Sequence, residues 1–476
     1  MVDAVVVGSG PNGLAAAVTL AEQGVRVTVL EARQEAGGGM RSGEATLPGL
    51  LHDHCSGVHP IGVSSPFFRS FDHERHGLRW AFPEIDLAHP LDGGREAALE
   101  RSVTGTAARL GPDGPAWRRL FEPLTASFAD LAADILAPVL HRPAHPVALA
   151  RFGLSALWPA TVLARRWRTA PARALFAGAA AHTFSRLDRP VSSAIGLVHI
   201  AAGHRWGWPV AEGGSQSIAR ALVSRLAELG GTVETGVRVT SLAQLPSAAA
   251  IVLDLAPASA AALLGDRIPA RVRRAYGRWR HGPAAFKVDL AVEGGVPWAG
   301  EACRRAGTVH LGGTLEEIAD AERLVARGRM PERPFVLVGQ QYLADQGRAV
   351  GDVKPVYAYA HVPAGYRGNA TERVLSQIER FAPKFRERVV GMAVTPPEAL
   401  AQGNANYVGG DILTGANTPW QTLCRPRPAL DPYRTGVPGV FLCSAATPPG
   451  AGVHGMCGRH AARSALRYLD GRRRTR

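Results

Sequence analysis

At 476 residues, with 46% hydrophobic and 20% charged side chains, the chain is too long for one ordinary core and too apolar for a disordered or fibrous protein, so two or three domains are expected. Its five cysteines, Cys55, Cys303, Cys424, Cys443 and Cys457, have no metal-ligand or C-x-x-C spacing, and no apolar run reaches the roughly 18 residues that a membrane span needs. The formal charge of +14 is carried by arginine in a lysine-poor chain and is by itself weak evidence for nucleic acid, which is not expected as a partner; most of it lies in residues 141–189, with eight arginines against one acid, and 459–476, with seven against one.

Met1 leads almost directly into the apolar run Val2–Val7, which predicts a strand and not a secretory signal, and the cysteine usage fits a reducing cytoplasm. The run "VDAVVVGSGPNGLAAAVTLAEQGVRVTVLEAR" then supplies every part of a βαβ nucleotide fold in order. Gly8-x-Gly10-x-x-Gly13 permits a tight turn, the approach of backbone to a diphosphate, and helix–strand contact. Ser9, Pro11 and Asn12 complete the turn, and the helix after it offers free amides and a positive dipole end. Gly24 closes that helix, "VRVTVL" forms a second strand, and Glu31 stands at its end, with Ala32 and Arg33 behind it. Glu31 is placed to accept ribose hydroxyls, which disfavours a 2′-phosphate and so NADP. The next stretch adds Gly37, Gly38 and Gly39, followed by Met40 and Arg41, an arrangement common in flavoproteins beside the cofactor diphosphate.

With these motifs the chain resembles the phytoene dehydrogenase-like FAD oxidoreductases, in particular the group of pyridine nucleotide-disulfide oxidoreductase domain proteins, with carotenoid desaturases and isomerases and, further off, amine oxidases as relatives. Its other motifs carry the likeness: "HDHCSGVHP" (52–60), "GWPVAEGGSQSIARALVSRLAELGGTVETGVRVTSL" (207–242), "FKVDLAVEGGVPW", "GGDILTGANTPWQTLCRPRPALDPYRT" and "GVPGVFLCSAATPPGAGVHGMCGRHAA". The resemblance implies an α/β fold, α+β overall: a Rossmann-type FAD-binding domain assembled from residues 1–75, 210–280 and 430–476, and a substrate domain from 76–209 and 281–429. Residues of about 110–200 form a helical lid over a mixed or antiparallel sheet, to which "AAFKVDLAVEGGVPW", "RPFVLVGQQYL" and "VKPVYAYAHVP" contribute strands. "LGGTVETGVRVTSL" reads as strand-turn-strand after a helix that Ser215 could cap, and the family pattern lays the backbone of Val239 against the adenine.

The spacing G-x-G-x-x-G recurs in "GAGVHG", Gly450–Gly455, but no second strand and no acid follow at the distance a βαβ unit needs. It reads instead as a loop that brings Ser444, Gly452, Val453, His454 and Met456 against the flavin. Relatives often have a third glycine at Ala451 and an aromatic at Arg459. Without a second nucleotide domain, electrons are expected to leave to oxygen, a quinone or another acceptor.

The implied reaction is removal of hydride from a carbon centre of a mostly apolar or cyclic organic substrate, forming a double bond. Amine-type oxidation, isomerisation on reduced FAD, and a flavin-binding interaction protein with little turnover stay as alternatives. Candidate proton carriers are His52, His54, His59, His204, His310 and His454, with His454 and His59 best placed by the motifs. No metal is expected. The arginine-rich lid has two readings, peripheral contact with a bilayer that stores the substrate or a solvated face.

Overall fold

The computed structural model describes residues 3–474. Met1 and Val2, which open the first predicted strand, and Thr475 and Arg476, which end the basic tail, lie outside the described residues.

Five parallel strands form one sheet, in the spatial order Val440–Leu442, Ala250–Leu253, Ala4–Val7, Val27–Leu30 and Thr232–Glu234. The runs AVVV and VTVL are buried throughout, as strands covered on both faces must be. Ala4, Val6, Val27 and Val29 pack under helix Pro11–Ala21, while Val5, Val7, Leu30 and Leu253 face Leu263, Ile268 and Val272 on the other side. Two further helices, Gln216–Glu228 and Met456–Arg474, lie against Pro11–Ala21. The sheet is thus built from pieces far apart in sequence.

A second sheet of seven strands runs in the order Val389–Thr395, Ala284–Glu293, Val353–Val362, Val336–Gly339, Ala306–Leu311, Ile85–Pro90 and Glu96–Leu99. All neighbours are antiparallel except Ala306–Leu311 and Ile85–Pro90, so the sheet is mixed. Helices Ala170–Ala181 and Ser193–Trp206 pack against one another, and Ala170–Ala181 also packs on the strands at its Ile85–Leu99 side. The small residues of "APARALFAGAAA" permit this closeness: a Cβ on Gly178 would stand 2.8 Å from His310 Nδ1. The helices around them share an aromatic core in which Trp117 and Phe121 lie 4.5 Å apart and Trp167 bridges to Phe176 at 5.2 Å.

Two local expectations are corrected. Only Thr232–Glu234 of the expected strand-turn-strand is a strand. After Gly236, whose φ is +73°, the amides of Gly236 and Val237 donate to Arg33 O and Glu31 O at 2.8 Å each, folding the chain back over the end of Val27–Leu30. The alternation there half-buries Val239 against the sheet's second face and leaves Val237 exposed. Ser215 precedes its helix without capping it; its hydroxyl donates to Ser56 O at 2.6 Å and its amide to Asp53 Oδ1 at 2.7 Å.

Candidate active site at the Rossmann turn

The glycines of the first turn are required by space. A Cβ on Gly13 would fall 2.1 Å from Gly8 O, and one on Gly10 2.6 Å from Asp254 Oδ2. Gly8, with φ of +99°, donates its amide to Leu30 O at 2.8 Å. The buried Glu31 carboxylate accepts the Ser9 amide at 2.9 Å, the Ser9 hydroxyl, and the Arg33 amide at 2.9 Å. Ala32 is exposed, and the Arg33 guanidinium bonds Gln402 O. Pro11 and Asn12 open helix Pro11–Ala21.

Asp254, at the end of strand Ala250–Leu253, was not singled out in the sequence; its signal was an acid directly following a parallel strand at the ligand-facing end. Its Oδ2 accepts the Gly13 amide at 3.0 Å. Burial, with the Glu31 charge adding, raises its carboxyl to about 7.

Around this turn the chain lays a second loop. Gly37 donates its amide to Ser9 O at 3.1 Å, Met40 is fully buried, and Arg41 bonds Gly38 O at 3.0 Å and Gly403 O at 2.7 Å. The following hairpin, Ser42–Glu44 with Leu51–Asp53, is tied to the rest by Asp53. Asp53 accepts Ser42 Oγ at 2.6 Å and pairs with the buried Arg348 at 2.6 Å. Burial alone would raise the Asp53 carboxyl, but Arg348 and these hydrogen bonds hold it below the usual carboxylate range.

The loop Gly450–Gly455 leads into helix Met456–Arg474, which lies so close to the first helix that a Cβ on Gly458 would stand 1.9 Å from Asn12 O. Ser444, Gly452, Val453 and Met456 all belong to this connection, with Gly452 and Val453 on the cavity wall. Arg459 donates to Pro66 O at 2.7 Å.

The two expected proton carriers, His454 and His59, both stand off the cavity wall. His454 is buried, with Nδ1 accepting the Met456 amide at 3.0 Å and Nε2 3.2 Å from Gly450 O. Both nitrogens hold the loop together, and burial lowers the ring to about 4. His59 donates Nε2–H to Ser215 Oγ at 2.9 Å, since that hydroxyl gives its own proton to Ser56 O. Burial lowers it too to about 4, and neither ring lines the cavity. His52 pairs with Asp289 at 3.3 Å, His204 accepts Trp117 Nε1–H at 3.0 Å, and His54 is exposed. His310 lies behind the wall, its Nε2 3.0 Å from His182 Nε2.

The histidines that do line the cavity are His182 and His199, stacked with ring centroids 4.8 Å apart. His199 Nδ1–H is spent on Ile195 O at 2.9 Å, which leaves Nε2 as an acceptor. Burial lowers it to about 4 and keeps the ring neutral. No motif spacing marks either residue in the sequence.

The cavity begins at Gly10, Pro11 and Asn12, passes Gly39 and Cys55–Gly57, and ends among Tyr357, Tyr359, Leu337 and Trp208. Its empty space is about 1880 Å³ with the open mouth counted. FAD fits the residues at the turn. The glycine cradle admits no side chain, the amides at the head of Pro11–Ala21 suit a diphosphate, and Asn12 Oδ1 and Ser444 Oγ are buried without a partner among the described residues.

Residues 6–73 match the family model described as an NAD(P)-binding Rossmann-like domain. A stretch of 99 residues is 36% identical to the rat pyridine nucleotide-disulfide oxidoreductase domain-containing protein 2; it covers 21% of this chain but only 17% of that relative's length. The hydroxyneurosporene desaturase of Cereibacter sphaeroides is 26% identical over 99% of this chain and 98% of its own. Among solved structures, a putrescine oxidase variant superposes with a TM-score of 0.60 at 18% identity, over 98% of this chain and 99% of that one, and so shares the fold. The glycine turn with its acid and the two-sheet architecture are thus those of a Rossmann-type oxidoreductase fold, and over nearly its whole length the chain is similar to the desaturase.

Proposed function

We infer that this protein is an FAD-dependent dehydrogenase that takes hydrogen from a carbon centre of a mostly apolar organic substrate and leaves a double bond. One observation carries the reading: a single cavity joins the Rossmann turn to a wall of Tyr357, Tyr359, Leu337, Trp208 and Ile61, so cofactor and apolar substrate share one enclosed space. Bound FAD would supply the hydride acceptor. Glu31 would hold the ribose hydroxyls, the amides of the first helix the diphosphate, and Gly452 and Val453 the ring. The aromatic wall would orient the substrate and exclude water. His199, whose Nε2 is its acceptor nitrogen, and Asp254 are the wall groups that would be able to accept a proton there. Electrons would pass on to oxygen, a quinone or another external acceptor.

Amine oxidation is the weaker reading. The cavity wall holds Arg186, Arg189 and Arg425, and its only acid among the described residues is Asp254, bonded to the Gly13 amide. A cationic amine would meet like charge there.

A bilayer as the substrate's reservoir is a further part of the proposal. Leu154 and Trp158 are 74% and 53% exposed, beside exposed Val147 and Leu157 and the exposed Arg142, Arg151, Arg165 and Arg166. Leu157 O and Trp158 O accept the amides of Val191 and Ser193, so this apolar turn is hydrogen-bonded to the Pro190–Ser192 stretch of the cavity wall. No described helix is long and apolar enough to cross a membrane.

The enzyme reading is tested by anaerobic titration of FAD-loaded protein with a panel of apolar compounds, following flavin absorbance. Bleaching by saturated members and product with a new C=C is the expected result. Protein that binds no FAD, or is bleached by amines alone, would overturn it.

A further inference from the structure

Arg425 is 4% exposed and stands on the cavity wall. Its three hydrogen bonds all go to neutral oxygens: Nε to Gln421 O at 3.2 Å, Nη1 to Ala445 O at 3.2 Å and Nη2 to Asn417 Oδ1 at 2.9 Å. No carboxylate of the described residues forms an ion pair with it. Asp411 acts on it only from a distance, being turned to the Gly282 amide at 2.8 Å, the Leu413 amide at 2.9 Å and His281 at 3.3 Å. A buried charge without a counter-charge is costly even when hydrogen-bonded, so its place on a cavity wall points to a ligand that supplies one.

The guanidinium is also held in place. Its Cζ atom lies 5.9 Å from the Trp279 ring centroid, and Asn417 is itself fixed by donating an Nδ2 hydrogen to Thr183 O at 3.0 Å. Gly450, at φ of +124°, leaves the room: a Cβ there would fall 2.1 Å from Nη1. Of the five N–H donors of an arginine, three are used, and one remains on each terminal nitrogen. That pair matches the two oxygens of a carboxylate. Arg189, exposed at the mouth, and Arg186 add positive charge along the way in, although Arg186 is answered by Asp188 at 2.7 Å.

We propose that Arg425 receives an anionic group of the substrate, so that the cavity takes an apolar acid: a hydrocarbon body with one carboxylate or an equivalent anion. This rests on the reading of the cavity as the substrate site and names the class of molecule it admits. The guanidinium anchors the charged end and leaves the apolar body along the aromatic wall.

The test uses decanoate, decanol and decylamine, three probes of one chain length, with affinity read from the shift in melting temperature of both the cofactor-free and the FAD-loaded protein. Decanoate should bind at least about ten-fold more tightly than decanol, the gain of a charge-assisted hydrogen bond, with decylamine weaker than either. Arg425→Met should erase the preference for decanoate and leave decanol unchanged. Arg425→Lys, which keeps the charge without the fork, should retain part of it and covers the case of a Met variant that does not fold. Equal binding of acid and alcohol by the wild type, or an undiminished preference in Arg425→Met, would overturn the proposal. So would an Arg425→Met variant that loses FAD affinity alone, since the counter-charge would then be the cofactor's. A protein that binds no FAD yet prefers decanoate would instead sink the dehydrogenase reading and leave the acid site standing.

Discussion

Asp254 places a carboxyl at the head of the first helix, on the amide of Gly13, and its titration has a definite sign. Its folded value of about 7 lies above the ordinary 3.8, so the folded state holds the proton more tightly than the unfolded chain. The stability this brings is complete below the ordinary value and is lost as pH rises through about 7. The ionised form also competes with the cofactor's diphosphate for the Gly13 amide. Asp254→Asn should therefore raise the melting temperature near pH 8 while changing it little near pH 4. FAD affinity of the wild type, read by flavin fluorescence, should fall between about pH 6 and pH 8 and stay level in the variant. A wild-type profile as flat as the variant's would show that the carboxyl does not titrate in this range.

Among the elements, the first βαβ unit was legible because its signal is local: three glycines and an acid within 24 residues mark turn, helix and the end of the second strand. The strand runs of the second sheet were legible for the same reason, each carrying its own apolar pattern. The loop after Thr232–Glu234 was not, because Val237 and Val239 have the alternation of a strand while their amides and side chains answer to Glu31 and the sheet face more than 200 residues earlier. Arg425, His182 and His199 were illegible in the same way. What makes them part of the cavity is the company of residues brought in from other segments, and no spacing records that. The lid helix Pro146–Ala156 and the turn after it yield a prediction at this scale. Leu154→Ser with Trp158→Ser should greatly reduce sedimentation with anionic vesicles at low salt, leaving FAD binding as in the wild type. If the wild type does not sediment, or the pair of changes has no effect, the lid is a solvated face.

At the scale of the molecule, a buried ion pair ties the second sheet to the hairpin Ser42–Glu44 with Leu51–Asp53. Arg348 reaches from the turn before Val353–Val362 to Asp53 at 2.6 Å and Ala211 O at 2.8 Å, tying the second sheet to the flavin-side hairpin and to the strand beside Trp208. Arg348→Met leaves the Asp53 charge buried and unanswered, and should cost about 3–5 kcal/mol in denaturant unfolding. Because the hairpin carries the Cys55–Gly57 wall, FAD affinity should fall with it. A loss below about 1 kcal/mol would mean that solvent reaches the pair.

The parallel sheet sets residues 4–7 beside 250–253, and those beside 440–442. During synthesis the glycine turn at residues 8–13 must be carried, with strands of its sheet still unpaired, until some 430 further residues have arrived. Contacts of such range close slowly and expose apolar edges to aggregation meanwhile. A cofactor that binds only the closed sheet draws newly made chains toward it by mass action. The amount of this protein that a cell accumulates should accordingly follow its supply of riboflavin as well as its rate of synthesis.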